Sequence, residues 1–401
     1  MPLNHNFLDL GYAPLSNAYL SADDLNRAEV CYPLRLKVCT NCWLVQTEDY
    51  AGAEELFSAD YAYFSSTSSS WLAHARDYSQ HIINHLGLDA GSFVVEIASN
   101  DGYLLRNFVE AGIPCLGIEP TASTAEAAEK LGVPVLRRFF GEALAQELSN
   151  DGKQTDLIIG NNVYAHVPDI NDFTRGMKLL LKPDGAITLE FPHLMKLVEG
   201  VQFDTIYHEH FSYLSLTAVT HIFAKNGLSV FDVEELPTHG GSLRVYGQRK
   251  DTGSQHESRR VAELLAREAA AGMTTPAYYA GFQKKVDDVK NNLLAFLIEA
   301  KRNGKKVAGY GAAAKGNTIL NYAGVRPDLL SYVVDKNPAK QGKFLPGSHI
   351  PIVSEEHLRS KRPDIVLILP WNIKKEIVTQ LAYIRNWRGQ FARAVPNLEV
   401  R

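Results

Sequence analysis

From about residue 92 onward the chain alternates short apolar runs with segments of helical spacing. Phe93-Val94-Val95-Glu96-Ile97 is an apolar run ending in a turn that contains Gly102. Helical spacing follows over 103–112, then a second run, Cys115-Leu116-Gly117-Ile118-Glu119-Pro120. An alanine-rich helix is predicted over 124–131. Strands are predicted over 133–136, 156–160 and 186–190, the last after the turn Lys182-Pro183-Asp184-Gly185. Strands alternating with helices imply a parallel, doubly wound α/β sheet.

The flanks have different patterns. Residues 1–55 are turn-rich, and apolar alternation (Leu34, Leu36, Val38, then Trp43-Leu44-Val45) brackets a Cys39-x-x-Cys42 pair, which suggests short strands around a knuckle. Trp71, Ala75, Tyr78, Ile82 and Ile83 recur at helical spacing, predicting a helix over 68–86. A helical linker is predicted over 259–301, after which the alternation restarts with strands over 306–311, 330–335 and 365–369. Two nucleotide-type α/β units thus share one chain, and the expected domains are 1–55, 56–255 and 256–401.

Composition narrows the class. The chain has 401 residues, 45% hydrophobic and 21% charged, with a net charge of -4; these are ordinary values for a globular protein of two or three domains. No long basic run exists, so nucleic acid is not expected as a partner. No apolar stretch of about eighteen residues occurs, so no membrane span is expected. The amino terminus lacks a basic start followed by an apolar core, and Cys31, Cys39, Cys42 and Cys115 do not form a disulfide-scaffold pattern. A reduced, cytoplasmic enzyme is the expectation.

In a doubly wound sheet the ligand sits beyond the carboxyl ends of the strands. Here the first strand ends in Glu96-Ile97-Ala98-Ser99-Asn100-Asp101-Gly102, whose small residues let backbone approach a ligand closely. Asn100 and Asp101 would repel a pyrophosphate but suit a ligand carrying a sulfonium and an ammonium. Glu119, at the end of the second strand, is placed to accept hydrogen bonds from ribose hydroxyls. Asn161 and Asn162 follow the fourth strand as the segment facing the methyl-transfer centre does in class I methyltransferases. The implied cofactor is S-adenosylmethionine.

The second unit opens with Gly309-Tyr310-Gly311-Ala312-Ala313-Ala314-Lys315-Gly316, and Asp335 lies about twenty residues further on. Taken alone this is a dinucleotide fingerprint, which keeps an NAD-dependent nucleotide-sugar oxidoreductase open as the alternative. Ala314 replaces the third glycine, however, and Lys315 in the first helical turn with free backbone N–H groups equally suits a diphosphate.

Between the units, Tyr207-His208-Glu209-His210-Phe211-Ser212-Tyr213 concentrates ionisable groups. If the run is extended, Tyr207 and Glu209 share one face and the two histidines the other. The spacing is not that of a helical zinc site. His166 follows the fourth strand. Carbon methylation requires a base beside a carbonyl and a group to hold the resulting oxyanion, and histidine suits the first role near neutral pH. A non-catalytic sensor of adenosylmethionine is a third reading, disfavoured by four adjacent ionisable groups.

These residues resemble the sugar C-methyltransferases that act on nucleotide-linked 4-keto-6-deoxysugars. The resemblance spans Phe7-Leu8-Asp9-Leu10-Gly11, Pro14-Leu15-Ser16-Asn17, Cys39-x-x-Cys42, Tyr61-x-Tyr63-x-Ser65-Ser66, the Glu96 loop, Tyr207-His208-Glu209-His210, and Gly309 to Thr318. It implies a small zinc-binding amino-terminal module, a central class I methyltransferase domain of Rossmann-like fold, and a second, carboxyl-terminal Rossmann-like domain holding the nucleotide-sugar. It further implies that His210 removes the proton at sugar carbon 3. Tyr207 and Glu209 would be active-site partners, and His166 would handle the proton at the carbon 4 oxygen. Tyr63, Ser65, Glu96, Ala98, Asn100, Asp101, Gly102, Glu119, Asn161 and Asn162 would hold adenosylmethionine. Gly311, Ala312, Lys315, Gly316, Asn317 and Asp335 would hold the nucleotide-sugar. The family pattern has two Cys-x-x-Cys pairs and this chain shows one, so Cys39 and Cys42 supply two of the four ligands zinc prefers, with His5 and Cys31 the nearby candidates for the rest. Either the site is completed irregularly, or apolar packing around Trp43 replaces the metal.

Overall fold

The computed structural model describes residues 3, 5–48 and 64–401; Tyr61 and Tyr63 lie outside them. The central sheet is built from β1 (Val94–Ile97), β2 (Cys115–Ile118), β3 (Val135–Leu136), β4 (Thr155–Asn161), β5 (Leu181–Pro192), β6 (Leu228–Leu236) and β7 (Ser242–Arg249). Their order across the sheet is β6-β7-β5-β4-β1-β2-β3. All neighbours are parallel except β7, which runs antiparallel to both β5 and β6. This is the doubly wound arrangement expected of a class I methyltransferase domain. Because β7 is reversed, the turn that enters it lies at the carboxyl edge of β5, where ligands bind in such sheets.

The predicted helix before the sheet forms as Ser69–Leu86; the Ser68 hydroxyl accepts from Trp71 N at 3.3 Å at its start, and Gly87, at φ 65°, ends it. Its buried stripe, Ala75, Tyr78 and Ile82, packs on Val94, Phe108 and Leu157.

A second sheet of six strands, in the order Ile352–Val353, Val333–Val334, Val307–Tyr310, Ile365–Ile368, Gln390–Arg393 and Glu399–Val400, forms the carboxyl-terminal unit. It is parallel except for its last pair. The amino-terminal strands His5–Ala13, Tyr32–Val38 and Val45–Thr47 are antiparallel and take Ser212–Tyr213 as a fourth. The amino-terminal module is therefore not free-standing. One apolar cluster runs through all three regions, from Phe7 and Leu36 through Leu194 and Phe203 to Leu293, Ile319 and Leu369.

Several elements differ from expectation. The helix expected over 103–112 is only Arg106–Glu110, because Ser99 to Leu105 form turns. The linker breaks into Arg259–Ala270, Pro276–Tyr279 and Phe282–Arg302. Gly272 and Gly281 at φ 91° and 82°, together with Pro276, interrupt it. The Lys182-to-Gly185 turn is a bulge inside β5, absorbed by a register shift between the pairs Thr155–Leu181 and Leu157–Ala186. Residues 330–332 lie outside the strand, which is reduced to Val333–Val334.

Candidate active site

The loop after β1 alternates left-handed residues, with Ala98, Asn100 and Gly102 at φ 57°, 50° and 76°. Two of these carry a Cβ, so the loop is held against local preference by its surroundings. Its anchors are explicit. Asn100 N donates to Glu119 Oε2 at 3.0 Å, and Thr121 N donates to Oε1 at 2.9 Å. Ser65 N donates to Asn100 Oδ1, and Ser66 N to Asp101 Oδ2, each at 3.0 Å. Gly117 on β2 leaves the room that Ser99 fills: a Cβ there would lie 2.3 Å from Ser99 Oγ.

Glu96, Asp101 and Glu119 are all buried around this loop. Burial first, then the charges of Asp101 and Glu119, holds the Glu96 carboxyl well above its ordinary range. Glu96 Oε2, Asp101 Oδ1, both amide atoms of Asn161 and Asn162 Oδ1 are buried without a protein partner. These orphaned polar atoms, all but Asn161 Nδ2 being oxygens, lie at the carboxyl edge of the sheet and fit the ammonium, sulfonium and ribose hydroxyls of adenosylmethionine. Ala98 and Gly102 contribute backbone conformation, and Ser65 a docking contact.

The Tyr207-to-His210 run is neither strand nor helix. His210 N donates to Tyr207 O at 2.9 Å, making a tight turn. The expected face-sharing therefore fails, and the rings of Tyr207 and His210 come together with centroids 4.0 Å apart. His166, from the 3-10 turn Tyr164–His166 after β4, meets His210 edge to face at 4.5 Å. His208 points elsewhere, to Pro33 O at 3.2 Å and the edge of Tyr32.

His210 Nδ1 lies 2.9 Å from Thr205 O. A carbonyl only accepts, so Nδ1 carries the proton and Nε2 keeps a free lone pair. Burial foremost, then His166, holds the His210 imidazole well below its ordinary pKa, with Lys315 and His239 adding to the effect and the Thr205 carbonyl opposing it. Burial brings His166 down to about 4. Both rings are neutral near pH 7. Glu209 is fully buried with Asn17 Nδ2 on Oε1 at 3.1 Å and Oε2 unpartnered, and burial pushes its carboxyl up to about 7.

The carboxyl-terminal loop is mostly occupied by its own protein. Asp335 accepts from Ala312 N at 2.7 Å and Asn337 N at 2.8 Å. Tyr19 Oη and Lys340 Nζ donate to Ala312 O at 2.6 and 2.8 Å. A Cβ on Gly311 would lie 2.4 Å from Pro370 Cδ, and one on Gly316 2.8 Å from Leu369 Cδ1. Asn317 Nδ2 donates to Ser16 O at 2.5 Å. Ala312 and Asp335 are thus already hydrogen-bonded within the protein, and the two glycines serve close backbone packing. Lys315 differs: its Nζ lies 4.7 Å above the Trp371 ring and 3.0 Å from Asn372 Oδ1, and its charge reaches both His210 and Asp204.

Sequence reasoning passed over Asp204, whose buried carboxyl accepts from Trp371 Nε1 at 2.7 Å, and Glu190, which is fully buried. Glu190 joins His74 Nε2 at 2.9 Å to Arg244 at 2.8 Å. His239 was also missed, although its Gly240-Gly241 neighbours mark a tight turn.

Cys39 and Cys42 sit together in a turn closed by Trp43 N donating to Cys39 O at 2.8 Å. His5 and Cys31 are exposed, and among the described residues no group of three or more His, Cys, Asp or Glu could hold a metal ion. The pair falls short of a structural zinc set. Trp43, next to the pair, stacks on Tyr279 with ring centroids 6.1 Å apart.

Three family models match the chain: "Putative zinc binding domain" over residues 1–57, "Methyltransferase domain" over 71–233 and "C-methyltransferase C-terminal domain" over 237–396. The chain is 34% identical to the C-methyltransferase NovU of Streptomyces niveus over 394 residues, covering 98% of this chain and 93% of that one. An uncharacterised methyltransferase of Mycobacterium leprae is 28% identical over 102 residues, 25% of this chain and 37% of that one. Among solved structures, the PH0226 protein of Pyrococcus horikoshii aligns with 48% of this chain and all (100%) of its own, at 15% identity and TM-score 0.39. The 1,6-didemethyltoxoflavin-N1-methyltransferase of Burkholderia thailandensis aligns with 52% of this chain and 96% of its own, at 17% identity and TM-score 0.38.

Proposed function

The chain belongs to the S-adenosylmethionine-dependent sugar C-methyltransferase family, and on that footing we propose that its acceptor is a nucleotide-linked 4-keto-6-deoxysugar methylated at carbon 3 through an enolate. One observation carries the reading: a neutral histidine, His210, whose Thr205 contact leaves Nε2 unprotonated, beside a second neutral histidine. Oxygen or nitrogen acceptors already own a lone pair and need less of this machinery. A carbon next to a ketone must first lose a proton.

In this reading His210 Nε2 takes the carbon 3 proton. His166 stabilises the oxyanion that develops at the carbon 4 oxygen, with the Tyr207 ring against His210 shaping the site. Glu209, protonated below about 7, serves as a buried hydrogen-bond donor next to them. Bound adenosylmethionine supplies an electrophilic methyl group. Glu119, Asn100, Asp101, Asn161 and Asn162 orient it, with Glu96 beneath the loop. Lys315 meets the negative charge of the diphosphate from the carboxyl-terminal unit, and no long helix of the described residues could cross a membrane.

Incubation with methyl-labelled adenosylmethionine and a thymidine-diphosphate 4-keto-6-deoxyhexose tests this. Label attached to ring carbon 3 is expected. Label on oxygen or nitrogen, or no transfer to this acceptor class, overturns the proposal.

A further inference from the structure

We propose that His239 is an additional acceptor-contacting residue, its imidazole hydrogen-bonding a polar oxygen of the nucleotide-sugar; the assignment rests on the acceptor class proposed above. His239 precedes β7, and the reversal of that strand places it at the carboxyl edge of β5, level with Glu190 and the end of β4.

Its backbone stands at φ 53° and ψ 21°, the left-handed region, which a residue with a Cβ enters at a cost. The surrounding turn enforces it from several sides. Thr238 Oγ1 donates to Glu190 Oε1 at 3.1 Å, and Gly241 N donates to Thr238 O at 2.8 Å. Gln202 Nε2 donates to Gly240 O at 2.9 Å, and His193 N to Gly241 O at 3.0 Å. Gly240 is pressed under the carboxyl-terminal unit, where a Cβ would meet Trp371 Cη2 at 2.6 Å. The turn is thus clamped between the central sheet and the second unit, and residues held in this backbone region cluster at active sites and ligand clamps.

The side chain fits the role. The His239 ring meets the Trp71 ring edge to face at 5.1 Å, and Trp71 itself stacks on His74 at 4.8 Å. That leaves His239 Nδ1 buried without a protein partner. The charged and titratable groups that face it are Lys315, Glu190 and His74, and His210 feels its charge in turn. Burial foremost, then Lys315, holds the ring neutral near pH 7. A neutral imidazole offers one donor and one acceptor, which suits a hydroxyl or keto oxygen. His239 therefore lies within electrostatic reach of both the base and the ammonium proposed for the diphosphate, between the two ends of a nucleotide-sugar.

The test uses the full chain with His239→Gly, which relieves the left-handed strain while deleting the ring, and His239→Asn, which tolerates that backbone and keeps a polar group. With the thymidine-diphosphate 4-keto-6-deoxyhexose, kcat/KM for the acceptor is expected to fall at least tenfold in His239→Gly and to recover partly in His239→Asn. KM for adenosylmethionine should stay within twofold and the melting temperature should not drop. Equal turnover by parent and His239→Gly, or a loss shared equally by both substrates, overturns the assignment. A parent that fails to methylate this acceptor instead overturns the acceptor class. A binding readout independent of turnover is the nitrogen-15 resonance of His239, identified by its absence in His239→Gly. It should shift when the nucleotide-sugar is added and not with adenosylmethionine; a resonance indifferent to the nucleotide-sugar overturns the assignment.

Discussion

The Nδ1 atom of His210 and the carbonyl oxygen of Thr205 are 2.9 Å apart, and this single bond decides which nitrogen of the ring can act as a base. The bond also holds the ring against Tyr207 and His166, so orientation and tautomer are set together.

Replacing His210 by Asn removes the base proposed above while retaining a donor of similar reach for Thr205. Turnover should fall roughly 10² to 10⁴-fold, the usual contribution of a positioned base. Solvent-deuterium exchange at carbon 3, followed by mass spectrometry in the absence of methyl transfer, should disappear with it. Exchange at the parental rate would remove His210 from that role.

Glu119→Gln keeps an oxygen for one of the two backbone N–H groups but loses the charge and an acceptor for ribose. Binding of S-adenosylhomocysteine, measured by calorimetry, should weaken about tenfold or more, about 1.4 kcal/mol. Undiminished affinity would show that Glu119 only braces the loop.

The pH dependence of stability follows from Glu209. Its folded pKa of about 7 exceeds the ordinary 4.5, so between these values the folded state holds the extra proton. Stability from this group is present below pH 4.5 and declines as the pH rises to 7, by about 3 kcal/mol at full burial. His166 has the opposite sign: its folded value of about 4 lies below the ordinary 6.5, so its contribution declines as the pH falls through that window. Glu209→Gln should therefore gain stability relative to the parent between pH 5 and pH 8 in urea denaturation. A pH-independent difference would contradict the assigned burial cost.

Trp371→Phe removes the indole N–H that Asp204 accepts at 2.7 Å in a buried site. Burial pushes the Asp204 carboxyl up to about 6, so above that pH the variant strands a charge. The expected loss is about 1–3 kcal/mol, larger at pH 8 than at pH 5 by denaturant titration. The same loss at both pH values would mean that the indole acts by packing alone.

The alternation of apolar runs with helical spacing placed β1, β2 and β4 and the helix Ser69–Leu86 correctly, because strand and helix periodicities are written within a few residues of each element. The Glu96-to-Gly102 loop and the Tyr207-to-His210 run were legible for the same reason: their chemistry is concentrated in contiguous residues. What residues 207–210 look like in space was not. The run folds into a turn because Thr205, Asn17 and the amino-terminal sheet hold it, and none of those contacts has a local signature. The glycine-rich segment at 309–316 shows the converse. Its pattern permits a dinucleotide, and only the folded chain shows Gly311 and Gly316 packed on Pro370 and Leu369 and Ala312 bonded to Tyr19 and Asp335. Asp204 and Trp371 are 167 residues apart, and Glu190 and His74 are separated by 116. Pairings at such distance depend on how the three sheets pack against one another, so sequence alone supplied the parts and their chemistry, and tertiary structure decided which of them meet and which nitrogen of His210 faces the Thr205 carbonyl.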